Sequence, residues 1–330
     1  RLGLLVEEAR TNLLTYSEDL NNPTWRKGTG TTVTSSTTTA PNGIAGCFRV
    51  QFTAGVRQGR YVQDILTPSP LASTTHTVSV WVKSTSGTDQ TFSLKCTHGG
   101  VVDYFSSNFT ATSKWQRFDF SQAFGSGGTS AIVGVAPDSS GNAADLEVWG
   151  FQFEADASFP TSYIKTTGST ATRSADVASI PVADFGYNQS AGTVFVEAKA
   201  SGDSLTFPRV ISFQDDPSNR WELIGDTTLD VRIFHRSNGT TDVSSDIISN
   251  VLDGETSFKL AYAKAENDAA GSGNGGSVVT DTSNGQLNNV DTLYIGVGAN
   301  GSSDFLNGHI KSIKYFPRRL TNAQLVDLTS

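Results

Sequence analysis

The sequence predicts an all-β protein: two consecutive antiparallel β-sandwich (jelly-roll) domains closed by a short C-terminal helix. Three observations predict it. Thr, Ser, Gly and Asn are abundant, Val and Phe supply apolar strand positions, and long Ala/Leu/Glu/Lys runs of the helical kind are scarce. Apolar and polar residues alternate over short stretches punctuated by Gly, Ser, Asn, Asp and Thr, which is how sandwiches read. A length of 330 residues suits about two domains of roughly 150 residues, each able to bury its own core.

The elements follow in order. His76–Ser84 (HTVSVWVKS) sets Val78, Val80 and Val82 on one face and Thr77, Ser79, Trp81 and Lys83 on the other. Next, TFSLKC groups Phe92, Leu94 and Cys96, and a hairpin through residues 84–90 is expected to join the two strands. Trp115–Phe120 and Asp145–Phe153 alternate as well. A second set comprises Thr193–Ala200, Arg209–Phe213, Arg220–Ile224, Thr228–Arg236, Ser257–Lys264, Leu293–Gly298 and His309–Phe316, with Gly271–Gly276 expected as loop. Thr321 is placed to cap a terminal helix whose apolar side is Ala323, Leu325, Val326 and Leu328. The segment Lys165–Gln189 lacks sustained periodicity, so the expected domains are 1–175 and 176–330, with no repeat relating them.

Charge and special residues narrow the class. The net charge is −8, the isoelectric point is near 5.0, and no basic cluster exceeds Arg318-Arg319 or Arg26-Lys27. A nucleic-acid binder needs a cationic stripe to displace counterions, so that class is excluded. No run approaches the roughly 18 apolar residues of a membrane span and no charged-then-apolar leader opens the chain. A soluble chain without membrane insertion is expected. The chain begins at Arg1 and holds no methionine, so a processed or longer protein is expected. Cys47 and Cys96 are expected as buried thiols in strands; a single disulfide stays open, and no His or Cys stands nearby at ligand spacing.

Residues 3–20, GLLVEEARTNLLTYSEDL, with Asn22–Trp25 and the closing stretch WGFQFEADASFPTSYIKTTGSTAT (Trp149–Thr172), resemble the segments that open and close a carbohydrate-binding-module-like jelly roll in bacteriophage and prophage tail fibre-type proteins. FLNGHIKSIKYFPRRLTNAQLVDLTS (Phe305–Ser330) is similar to the end of a concanavalin A/laminin-G-like sandwich, with its strand, Pro-Arg turn and helix. The two resemblances imply a virion appendage acting outside the cell, with bacterial surface polysaccharide and other virion fibre subunits as partners. They also imply a homo-oligomer, a trimer favoured. No coiled-coil heptad is present, so self-association would come from sandwich faces or from a preceding segment. Fold-level likeness alone leaves a structural or assembly module and a polysaccharide-degrading enzyme as alternatives.

Chemistry favours binding over catalysis. His76, His98, His235 and His309 sit in no HExxH, GxSxG or comparable context. The carboxylate pairs Glu147/Glu154 and Asp215/Asp216 have no sequence context that singles them out for glycoside hydrolysis. Sugar binding needs flat rings for pyranose C–H faces and polar groups for hydroxyls. Trp81, opposite the valine stripe, is the first candidate, with Tyr61 and Tyr104 behind it; Trp25, Trp115 and Trp149 are expected to pack in the core. In the second domain Trp221 follows the loop QDDPSNR, where Asp215, Asp216, Asn219 and Arg220 could form a polar rim around it. A structural calcium ion is the expected metal, on loops such as Asp215-Asp216, Asn300–Asp304, or Glu7-Glu8 with Glu154.

Overall fold

A computed structural model describes residues 2–56, 60–66, 74–99, 102–126, 130–200, 207–285, 289–298 and 301–330. Strands dominate it, the helix Asn322–Thr329 stands at the end, and the chain divides into two units. One is Arg10–Arg173; the other combines Arg1–Ala9 with Ser174–Ser330. The opening residues therefore leave the domain 1–175 in which the sequence placed them. Leu4–Val6 forms an edge strand antiparallel to Gly308–Phe316, with Leu4 opposite Ile310 and Val6 opposite Gly308. Val6 is fully buried beside Val297 and Phe305. Gly3 permits the close approach: its φ is +101°, and a Cβ there would lie 2.3 Å from the Ile310 carbonyl oxygen.

The Arg10–Arg173 unit is a sandwich of two antiparallel sheets. One runs Gln116–Ala123, Thr75–Ser84, Ala144–Ala155, Ala45–Phe52, Thr31–Thr39; the other runs Phe109–Ala111, Gln90–His98, Ser130–Pro137, Tyr61–Leu66, Trp25–Lys27. Val78, Val80 and Val82 are fully buried, as the alternation predicts, and meet the stripe Phe92, Leu94 and Cys96 in a single core. The expected hairpin is corrected. Thr75–Ser84 and Gln90–His98 lie in different sheets, because two apolar stripes bury most surface when they face each other across the core rather than lie side by side. Cys47 and Cys96 are both buried and free.

The second unit pairs two six-stranded sheets. One has the order Leu4–Val6, Gly308–Phe316, Ala191–Ala200, Phe258–Ala265, Asp268–Gly273, Val279–Asp281; the other runs Ala178–Pro181, Thr292–Ile295, Arg209–Asp216, Asn219–Gly225, Val231–Ser237, Thr240–Ile248. Gly271–Gly276 is not all loop, since Asp268–Gly273 is a strand. Its glycines reflect crowding: a Cβ on Gly271 would come 2.5 Å from Ile233 Cγ2, and one on Gly273 2.7 Å from Ile248 Cβ. The terminal helix starts as expected. Thr321 Oγ1 accepts from the Gln324 N–H while the Gln324 side chain accepts from the Thr321 N–H. Leu325 is fully buried against Ala261, Ala263 and Ala270.

Candidate functional site

The outer face of the Thr75–Ser84 sheet carries a cluster of rings. Trp81 lies directly opposite Trp149 on one neighbouring strand and Arg117 on the other. Paired residues share a face, so burying the valines turns both tryptophans outward. Trp149 is covered, its ring 4.7 Å from that of Tyr163, whereas Trp81, Trp115 and Tyr163 remain half-buried. Gly150 makes this packing possible. It interrupts the ladder after Trp149 with φ +68°, and a Cβ would press to 3.3 Å on Trp81 Cδ1 and 3.4 Å on Tyr163 Cε2.

Polar groups hold the rings in place. Trp115 donates from Nε1 to the Thr39 carbonyl at 2.9 Å, and the Lys83 ammonium sits 5.5 Å from its centroid. Tyr163 donates its hydroxyl to Ser17 Oγ at 2.7 Å. Arg117 spans Ser79 Oγ at 2.9 Å and the Thr161 carbonyl at 2.7 Å. On the same face beside the rings, buried Glu147 accepts from Ser36, Thr38 and the Cys47 thiol. Burial, and then the hydrogen bond to Glu147, push the Cys47 thiol up to about 12, so it stays protonated and inert. The Trp81 Nε1 is buried and has no hydrogen-bond partner among the described residues. The patch therefore offers half-exposed aromatic faces with the Lys83 ammonium beside them: a surface for stacking on an apolar ligand face.

The other predicted site residues go elsewhere. Tyr61 is fully buried and stacks on Trp25 at 5.4 Å, because it faces the core from its strand. Tyr104 opposes Cys96 on the inward side and stacks on Phe124 at 6.0 Å; its neighbour Phe105 is the exposed ring. Trp221 is corrected from a rimmed surface ring to a core residue, fully buried and stacked on Phe213 at 4.2 Å. Period two sends Trp221 inward with Leu223 and sends Arg220 outward with Glu222, so no polar rim surrounds the indole. Asp215 lies near the end of the strand Arg209–Asp216 and accepts the Asp216 N–H. Trp149 is buried as expected, though on the outer face of its sheet, and Trp115 is corrected to a half-buried ring. Neither joins the central core; both belong to the Trp81 cluster. The signal for Trp149 lay in DLEVWGF, where Leu146 and Val148 mark the inward side, and Tyr163 carried no signal at all.

The calcium loops show competing partners. Asp216 accepts the Ser218 and Asn219 N–H groups, Glu154 accepts the Thr161 hydroxyl and N–H, and Asn300 lies outside the described residues. Asp226, Asp230 and Asp246 bring carboxylate oxygens within 4.8 Å of one another. The Arg232 guanidinium pairs with Asp226 and Asp246 and already supplies a cation's charge, so this cluster does not fit a calcium ion.

No protein-family model matches the chain, and no curated protein matches it in sequence. Solved structures similar to it include the CBM22-1 xylan-binding domain of Paenibacillus barcinonensis Xyn10C, with TM-score 0.37 and 16% identity over 46% of this chain and 99% of that one. The Ruminococcus gnavus IT-sialidase CBM40 bound to α2,3-sialyllactose has TM-score 0.37 and 14% identity over 43% and 84%. The enzymatically active domain of bacteriophage CBA120 tailspike protein 4 has TM-score 0.32 and 12% identity over 44% and 21%. At these values the likenesses carry no functional inference.

Proposed function

We propose that this chain is a non-catalytic glycan-binding region of a phage tail fibre or related virion appendage, recognising bacterial surface polysaccharide through the Trp81 patch. The observation that carries the reading is the gathering of Trp81, Trp115 and Tyr163, all half-buried, on one outer sheet face. Aromatic faces stack on pyranose C–H surfaces, while Lys83 meets ring hydroxyls. The resemblance of residues 3–20 and 149–172 to tail fibre jelly rolls supports the virion setting, and with it assembly as a homo-trimer with other fibre subunits.

The test is a glycan array, then calorimetry on the strongest hit, with wild type, Trp81→Ala and Trp115→Ala. Each substitution is expected to weaken binding at least about tenfold, which corresponds to about 1.4 kcal/mol, with the melting temperature nearly unchanged. A large drop in melting temperature without loss of binding would instead make the patch a structural layer. New reducing ends or unsaturated sugars on incubation with capsular polysaccharide would overturn the non-catalytic part.

A further inference from the structure

The Arg209–Asp216 sheet of the second unit buries Phe213, Trp221 and Leu223 on one side. Its other side brings two arginines together. Arg220 and Arg236 stand directly opposite each other on neighbouring antiparallel strands, and Gln214 opposes Arg220 from the other side. Like charges in directly opposed positions repel, and Arg220 is only 9% exposed, where repulsion is less screened.

The nearby carboxylates do not balance this row. Glu222, with a fully buried side chain, accepts from Arg220 Nε at 2.9 Å and from Ser212 Oγ at 2.7 Å, and it is shared with Arg209 at 3.5 Å. Arg209 has its own second partner, Asp304, at 2.9 Å. Arg236 is half-buried and donates from Nε to the Gly239 carbonyl; no carboxylate of the described residues is ion-paired with it. The Asp242 carboxylate is turned to His235 and Ser237, and that of Asp216 is taken by backbone N–H groups. Two rows further along, Arg232 is held between Asp226 and Asp246. The positive charge without a carboxylate partner is therefore that of Arg236, next to the Glu222-paired Arg220. Beside it lies a half-buried ring, Phe234, 5.3 Å from the Arg220 guanidinium.

We infer that this face binds the carboxylate of an acidic sugar: half-buried Arg236 holds the carboxylate beside Arg220, which Glu222 and the Pro217 carbonyl anchor, and Phe234 lies against the sugar ring. A guanidinium offers parallel N–H donors that match a carboxylate, and an anion on Arg236 offsets a charge that has no carboxylate partner among the described residues. The inference deepens the glycan-binding reading and rests on it for the ligand being a saccharide, but it uses a separate surface from Trp81.

The experiment titrates the full chain with polygalacturonate and, in parallel, with fully methyl-esterified polygalacturonate, for wild type, Arg236→Gln, Arg236→Lys and Trp81→Ala. Wild type is expected to prefer the free acid by at least about tenfold, a preference that shrinks as salt rises. Arg236→Gln should abolish the preference, Arg236→Lys should recover part of it, and circular dichroism should show all variants folded. Equal binding of acid and ester by wild type, or an unchanged preference in Arg236→Gln, overturns the inference. Loss of ester binding in Trp81→Ala with the acid preference intact would keep both readings. An acid preference that survives while Trp81→Ala changes nothing would sink the Trp81 reading alone.

Discussion

Two outer sheet faces in this molecule, one in each sandwich, are furnished in opposite ways. Around Trp81 the outward positions hold rings, and the buried carboxylate there, Glu147, is satisfied by hydroxyls and a thiol. Around Arg220 they hold guanidinium groups, and the buried carboxylate, Glu222, is satisfied by two arginines and a serine. The backbone supplies the same lattice in both units: every second residue faces out, aligned with its cross-strand partners. What differs is the solvation of those side chains. A ring face loses little on leaving water and contacts apolar ligand surface; a guanidinium keeps its hydration until an anion replaces it. The first face should bind with little salt dependence, and the second should weaken as salt rises.

The contrast between the two central tryptophans gives the largest expected effect. Trp221→Ala removes a fully buried indole stacked on Phe213 and should cost about 3–5 kcal/mol of the second unit's stability. Trp81→Ala, on a half-buried outer position, should cost no more than about 1.5 kcal/mol. Chemical denaturation followed by hydrogen exchange in peptides from each unit reads both; equal costs would break the inside/outside distinction.

Next in size is a divergence with pH. Burial brings Lys264 down to about 8, so between about pH 8 and 10 the unfolded lysine holds a proton that the folded one has released, and the second unit gains stability as pH rises. The full effect is about 3 kcal/mol. In the first unit burial raises both thiols, Cys47 and Cys96. The folded thiols stay protonated above about pH 8.5 while the unfolded ones ionise, so that unit loses about 1–2 kcal/mol per thiol by pH 10. Exchange rates in the two units should move in opposite directions, and Lys264→Met should remove the rise in the second. Parallel changes would refute the assignment.

The smallest effect sharpens the account of Tyr61. Its hydroxyl is buried without a hydrogen-bond partner among the described residues, so Tyr61→Phe should leave the core packed and raise stability by about 1 kcal/mol in a urea melt. A loss of stability would mean that the hydroxyl is satisfied after all.

Alternation made much of this legible. HTVSVWVKS separates Val78, Val80 and Val82 from Trp81 before any fold is known, and the same rule applied to RWELI sends Trp221 inward with Leu223. Reading Trp221 against the preceding acidic loop, instead of against its own strand, put it on the surface. Gly150 and Tyr163 could not be read together, because a bulge and a distant loop meet the Trp81 ring only in three dimensions.

The residues alone therefore determined the fold class, the facing of each strand and the capped terminal helix, since all three depend on contacts within a few positions of the chain. Tertiary structure decided which strands share a sheet, why Leu4–Val6 joins Gly308–Phe316, and which outward rows gather rings or arginines. Alternation is the same whichever strand lies alongside, and the choice of neighbour follows from how distant side chains fill a common core.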